Sequence, residues 1–272
     1  MVEWGAMKST ISKRPVVLVF AGLDPTGGAG LQADIEAIGS MGGHALPVAT
    51  AITAQDTHDV KSCTPVSAVS IIEQARVLLD DIEIDAFKIG LVASIEAIGA
   101  IHTILKEHED IPVVIDPVCA SGPGTVLTDD DQIDATISLL LPQATMVTPN
   151  TIEARLLTPE ADSLNASGQE LLSYGCRSVL LTGTHDSTPD IVNRFYADRR
   201  LVRSFHCERL PGRYHGSGCT LSSAIAALLG HGLDPLAAVS EALDYTWRTL
   251  KHATRIGGGQ LIPQRLFLDR EA

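Results

Sequence analysis

Val16-Val17-Leu18-Val19-Phe20-Ala21-Gly22-Leu23-Asp24-Pro25-Thr26-Gly27-Gly28-Ala29-Gly30-Leu31-Gln32-Ala33-Asp34 is the stretch that decides the fold class. Val16 to Ala21 is apolar without alternation, as expected of a strand buried on both faces. Glycines then crowd a turn, and helical spacing begins near residue 31. Lys13-Arg14 ahead of the apolar run mimics a signal peptide, but Asp24-Pro25 and glycines stand where small cleavage-site residues belong, so the segment reads as a buried strand. The glycine spacing fits neither the dinucleotide fingerprint nor the P-loop. By itself the loop is equally a tight turn or a place where backbone approaches a ligand.

Outward from this unit the pattern repeats. Strands are predicted at Leu46–Thr53, Ala86–Ile89, Val113–Ile115, Met146–Thr148 and Val179–Thr182, with helices near 31–41, 66–80, 94–108, 129–141, 150–157 and 167–174. Apolar strands separated by helices imply an α/β domain with a central, mostly parallel sheet flanked by helices on both faces. Asp190–Tyr196 and Leu201–His206 read as an antiparallel hairpin at one edge. Helices over 216–229 and 235–254 follow, the second capped by Asp234 with Pro235 in its first turn. Residues 1–14 read as a loose tail and 15–272 as one domain.

The 272 residues are 45% hydrophobic, 19% charged and 4% aromatic, a folded composition, and the net charge of −13 disfavours nucleic acid and anionic lipid as partners. No apolar run reaches the roughly 18 residues of a membrane-spanning helix. Cys63, Cys119, Cys176, Cys207 and Cys219 are scattered, without a CxxC pair, which points to a reducing, cytoplasmic setting. The histidines show no metal-ligand spacing.

Ligands of such sheets bind beyond the carboxyl ends of the strands, and unusual residues collect there. Asp34 is placed to reach back over the glycine loop. Gly216-Ser217-Gly218-Cys219 opens an alanine-rich helix whose unpaired amides suit an anion; the same dipole is expected to lower the Cys219 pKa and make the thiol a base. Asp116 follows one strand directly. Asn150 and Glu153 share a helical face, either as a helix cap or, with Asp116, as hard oxygen donors for Mg²⁺ held through water. Gln55 offers a donor and an acceptor suited to a flat heterocycle.

In this order, Gly22–Asp34, Thr50-Ala51-Ile52-Thr53-Ala54-Gln55, Lys88-Ile89-Gly90, Asp116-Pro117-Val118, Thr148-Pro149-Asn150 with Glu153, and His215-Gly216-Ser217-Gly218-Cys219-Thr220 resemble the hydroxymethylpyrimidine kinase and phosphomethylpyrimidine kinase family of the ribokinase superfamily. The resemblance runs from about Val17 to Phe267. It implies a ribokinase-like fold and transfer of the ATP γ-phosphoryl group to the thiamine precursor 4-amino-5-hydroxymethyl-2-methylpyrimidine and then to its monophosphate. Ala29, Asp34, Thr53, Gln55, Leu91 and Val118 would line the pyrimidine pocket, and Gly216, Ser217 and Gly218 would form the anion hole with Cys219 as base. Thr182, Gly183 and Asn150 would lie near the nucleotide, and Asp116 and Glu153 would organise Mg²⁺. ATP and Mg²⁺ are the implied cofactors, a monovalent cation is an open addition, and a homodimer is the implied assembly. Two departures stand out: Val118 to Gly124 lacks the lysine usual after Asp-Pro-Val, and Thr182 replaces a second frequent lysine. Alternatives are a pyridoxal or pyridoxine kinase of the same superfamily, and a pyrimidine-binding homologue with weak catalysis.

Overall fold

The structure is a computed structural model, and it describes residues 14–267 apart from 121, 123 and 187. The expected tail, Arg14 aside, lies outside the described residues. The chain runs β1 (Val16–Leu23), α1 (Gly30–Ser40), β2 (His44–Gln55), β3 (Val60–Pro65), α2 (Ala68–Asp81), β4 (Ala86–Ile89), α3 (Ile95–Lys106) and β5 (Val113–Ile115). It continues with α4 (Asp130–Ala135), β6 (Met146–Val147), α5 (Thr151–Leu157), α6 (Leu164–Ser173), β7 (Ser178–Leu181), β8 (Asp190–Ala197), β9 (Arg200–Glu208), α7 (Ser217–Gly230) and α8 (Pro235–Lys251). These form a nine-stranded sheet in the order β3-β2-β1-β4-β5-β6-β7-β8-β9. From β2 to β7 every pairing is parallel; β3, β8 and β9 are antiparallel additions at the two edges.

Successive side chains of a strand face opposite ways, and β1 uses both faces. Leu18 and Phe20 enter one apolar core with Phe87, Ile101 and Leu171. Val17, Val19 and Ala21 enter a second with Ile38, Ile225 and Val239 from α1, α7 and α8. The sheet is thus covered on both sides, and β1 lies between β2, which follows it, and β4. A strand order that reverses at such a point leaves a crevice above the carboxyl ends.

Two expectations are corrected. β3 was not foreseen: it is an edge strand, and much of Val60-Lys61-Ser62-Cys63-Thr64-Pro65 is exposed, so burial imposes no apolar run on it. The single helix expected over 129–141 is α4 followed by a π turn over Thr136–Leu140 and a 3₁₀ turn over Leu141–Gln143. Pro142 has no N–H to continue an α-helical ladder. Among the described residues no helix is long and apolar enough to cross a membrane, and all five cysteines are free.

Candidate active site

The parallel strands open into a cleft of about 1010 Å³. Ala29, Thr53, Gln55, Leu91, Val118, Asp116, Asn150, Glu153, Thr182, Gly216, Ser217, Gly218 and Cys219 all line it. Two expected site residues do not. Asp34 is fully buried beneath the cleft floor, where Oδ1 accepts hydrogen bonds from Lys88 Nζ at 2.9 Å and Ser223 Oγ at 2.6 Å; a cation and a hydroxyl below outweigh any reach over the loop. Gly183 packs under β8, its N–H donating to Asn193 Oδ1 at 3.1 Å, and a Cβ there would strike the Val192 carbonyl.

The glycine loop is organised by Asp24, not by Asp34. Asp24 accepts from Thr26 N (2.8 Å), Thr26 Oγ1 (2.9 Å) and Ala29 N (2.9 Å) and lies 2.7 Å from His215 Nε2. Burial works against the charge, but hydrogen bonds from His215, Gln55 and Thr26 hold the carboxyl well below the usual carboxylate range. Arg265, fully buried, ties the same loop to α7: its guanidinium donates to the Gly28 carbonyl and to Thr220 Oγ1 at 2.8 Å, and lies 3.2 Å from Glu36 Oε2. The two glycine loops are therefore tied to each other.

Helix α7 begins after Gly216, which has a left-handed φ of 75° and supplies no side-chain cap. The first-turn amides are thus left to the cleft, as an anion hole requires. Cys219 lies in that turn, half-buried. The expected lowering of its pKa is overturned. Burial pushes the thiol up, Lys88 opposes this, and the Asp116 and Asp34 carboxylates add to it, for a value of about 12. A local helix dipole loses here to burial first, and then to the two carboxylates. The thiol hydrogen-bonds to Asp116, which also accepts from Ser222 Oγ at 3.3 Å.

Asn150 is the cap of α5: its Oδ1 accepts from Ile152 N and Glu153 N at 2.8 and 2.9 Å, and Glu153 Oε2 accepts from Asn150 N at 2.8 Å. This reciprocal box fixes Glu153 at the cleft wall. Burial and then the nearby Asp116 charge push Glu153 up to about 8. Asp116 is raised by burial and by Asp34, against the pull of Lys88.

A family model for phosphomethylpyrimidine kinase matches residues 24–263. The hydroxymethylpyrimidine/phosphomethylpyrimidine kinase of Rhizobium meliloti (strain 1021) is 36% identical over 251 residues, 90% of this chain and 94% of that protein. The chain belongs to the phosphomethylpyrimidine kinase family. The namesake from Mycobacterium tuberculosis (strain ATCC 25618 / H37Rv) is likewise 36% identical, over 90% of this chain and 91% of its own. Among solved structures, a phosphomethylpyrimidine kinase from Clostridium difficile 630 superposes with a TM-score of 0.75 at 32% identity, covering 88% of this chain and 100% of that one. An ADP complex of Bacillus subtilis pyridoxal kinase gives a TM-score of 0.84 at 25% identity, covering 94% and 99%. The ribokinase-like architecture expected from the motifs is therefore the one this phosphomethylpyrimidine kinase relative has.

Lys88 and Arg265 carry weight in this phosphomethylpyrimidine kinase fold that sequence reasoning did not give them. Lys88 sits in the apolar run of β4, and a lysine inside a strand buried on both faces was itself a signal, since buried lysines are paired. Arg265 gave no signal, being an arginine in an irregular C-terminal segment. The locked loops lead to a direct test. At Gly216 a Cβ would collide with the Gly28 carbonyl, whereas Gly232, with φ of 84°, faces open space. Both Gly216→Ala and Gly232→Ala pay for a left-handed backbone, about 1 kcal/mol or more, read as a lower Tm. Only Gly216→Ala should also cut kcat/KM, by roughly tenfold or more, because it displaces the anion hole. Equal kinetic effects would show that the loop contact does not matter.

Proposed function

We propose that this kinase transfers the γ-phosphoryl group of ATP to the hydroxymethyl group of 4-amino-5-hydroxymethyl-2-methylpyrimidine, and then phosphorylates the monophosphate. The observation that carries the reading is Cys219, set in the open first turn of α7, lining the cleft and hydrogen-bonded to Asp116. ADP and AMP-PCP complexes of related pyridoxal kinases support a nucleotide in the same cleft.

The acceptor oxygen attacks the γ-phosphorus while the bond to the β-phosphate oxygen breaks and ADP leaves. A thiol with a pKa near 12 is not a resting thiolate, so it works as a relay: sulfur takes the hydroxyl proton as its own proton passes to the Asp116 carboxylate beside it. The amides of the α7 first turn stabilise the migrating group, which needs positioning and charge neutralisation more than covalent help. Ala29, Thr53, Gln55, Leu91 and Val118 hold the ring, and Thr182 and Asn150 border the nucleotide.

Asp116 and Glu153 fit a Mg²⁺ ion. They are two buried oxygen-donor side chains, and the Asp116 charge adds to burial in pushing Glu153 up; a dication would relieve that repulsion. Among the described residues no cluster of three or more His, Cys, Asp or Glu could hold a metal, so the remaining ligands would be water and substrate phosphates. When bound, the ion would neutralise phosphate charge. Below about pH 8 Glu153 keeps a proton that a cation must displace, so the Mg²⁺ concentration for half-maximal rate should fall as pH rises toward 8, by at most about tenfold per pH unit. Glu153→Gln should flatten this dependence. The sign for stability is opposite. Between the ordinary value of 4.5 and about 8 the unfolded chain has lost this proton and the folded one has not, so metal-free stability declines as pH rises through that window. A metal-free wild-type melt that Glu153→Gln leaves unchanged at pH 8 would contradict the shift.

Pyridoxal is the second acceptor to consider, because pyridoxal kinases superpose with TM-scores up to 0.84. ADP release measured in parallel with hydroxymethylpyrimidine, its monophosphate and pyridoxal separates the readings. The expected order puts both pyrimidines above pyridoxal; release with pyridoxal alone would reverse the assignment.

A further inference from the structure

We infer that Arg213 grips the phosphate of the monophosphate acceptor and so determines whether the second transfer proceeds. The inference rests on the two-step reading above and names the residue on which its second step depends. The cationic side chains along the cleft are otherwise committed. Lys88 is paired with Asp34. Arg209 donates to the carbonyls of Thr184, Asp186 and Thr188, bracing the turn after β7. Arg213 lines the cleft, is exposed, and among the described residues its guanidinium makes no hydrogen bond or ion pair.

Backbone geometry aims it. Residues 213–215 run beside Leu261 as an extended segment, with Leu261 N donating to Arg213 O at 2.8 Å and His215 N to Leu261 O at 2.9 Å. Alternate residues of an extended segment share a face. His215 faces Asp24 and Gly28 at the acceptor end of the cleft, so Arg213 stands on the acceptor side, just ahead of the anion hole. Opposite lies the segment after Asp116: a Cβ on Gly122 would come within 2.9 Å of Gln260 Nε2, which itself donates to Tyr214 O at 3.4 Å. No lysine or arginine occurs from Val118 to Gly124, so this wall offers no charge to an anionic acceptor. Asp24, Asp116, Glu153 and Glu208 line the same cleft, and an incoming phosphate requires a cation among them. An arginine fork matches phosphate oxygens bidentately.

The two transfers make different demands. In the first, an alcohol must lose its proton as its oxygen attacks the γ-phosphorus. In the second, a phosphate monoester oxygen attacks the same phosphorus, the bond to ADP breaks, and near pH 8 the acceptor is already a dianion with no proton to give up. The first step therefore leans on Cys219 and the second on Arg213.

Steady-state kcat/KM for hydroxymethylpyrimidine and for its monophosphate, measured on wild type, Arg213→Met, Arg213→Lys and Cys219→Ala, tests this. Arg213→Met should lower the monophosphate value at least about tenfold more than the alcohol value, as expected for one charge-assisted contact. Arg213→Lys should recover part of it, and Cys219→Ala should show the reverse bias. Equal losses with both acceptors would mean that Arg213 serves the nucleotide; no loss with either would make it a solvated cation. Both results overturn the inference. A wild-type protein that phosphorylates the alcohol but not its monophosphate overturns the inference together with the second transfer and leaves the first standing, whereas one that phosphorylates neither overturns the proposed function whole.

Discussion

Cys219→Ala should lower kcat for the pyrimidine alcohol by roughly 10² to 10⁴, the usual contribution of a positioned acid-base group. Pyrimidine binding and the melting temperature should stay close to wild type. The side chain is half-buried at the cleft wall and not part of either apolar core, so its removal leaves no closed cavity. The first-turn amides of α7 remain, because alanine supplies the same backbone. The relay is lost: Asp116 keeps Ser222 but has no group through which to receive the acceptor's proton. Calorimetry with pyrimidine and ADP, beside the turnover assay, distinguishes a chemical defect from a binding one. Undiminished turnover would remove Cys219 from the mechanism.

The second large effect belongs to Lys88. Its ammonium is buried at 0% exposure, 2.9 Å from Asp34 Oδ1. Burial alone would drive it toward neutrality, but the Asp34 carboxylate, with Asp116 behind it, holds its pKa well above the ordinary value. Asp34 Oδ2 has no partner in the structure, so Lys88→Met would leave Asp34 supported by Ser223 alone. Breaking one half of a buried pair costs about 3–5 kcal/mol, which for a chain of this size lowers Tm by roughly 10 °C. Turnover should also collapse, since the same ammonium faces Cys219 and Asp116. The double variant Lys88→Met with Asp34→Asn separates the causes. It removes the orphaned charge and should restore most of the Tm, while turnover stays low. Recovery of both would make the pair purely structural; recovery of neither would show that packing, not charge, was lost.

What the sequence revealed and concealed follows from the range of each interaction. The parallel strands were legible because burial on both faces forces apolar runs such as Val16–Ala21, and α8 was legible from Asp234 and Pro235 within one turn of its start. Edge strand β3 was not, because half-exposed residues obey no such constraint. The motif residues gather at one cleft, as strand ends must in this topology. Asp34 was misplaced because its partners, Lys88 and Ser223, are distant in the chain, and nothing local shows that a cation lies beneath the loop. The same is true of Arg265, whose contacts with Gly28 and Thr220 tie the C-terminal segment to two loops far earlier in the sequence. The Cys219 titration failed in sign for a related reason. The helix dipole is written into Gly216–Cys219, but the burial that outweighs it is made by distant parts of the chain, and the carboxylates that add to it come from α1 and the end of β5.

Phosphorus NMR of the protein with Mg²⁺, ATP and 4-amino-5-hydroxymethyl-2-methylpyrimidine reads the proposed chemistry directly. Loss of the γ-phosphate signal should accompany growth of a phosphomonoester resonance on the pyrimidine methylene oxygen, followed by a diphosphate on the same carbon. ATP left intact, or hydrolysed to free inorganic phosphate with no pyrimidine ester formed, would contradict it.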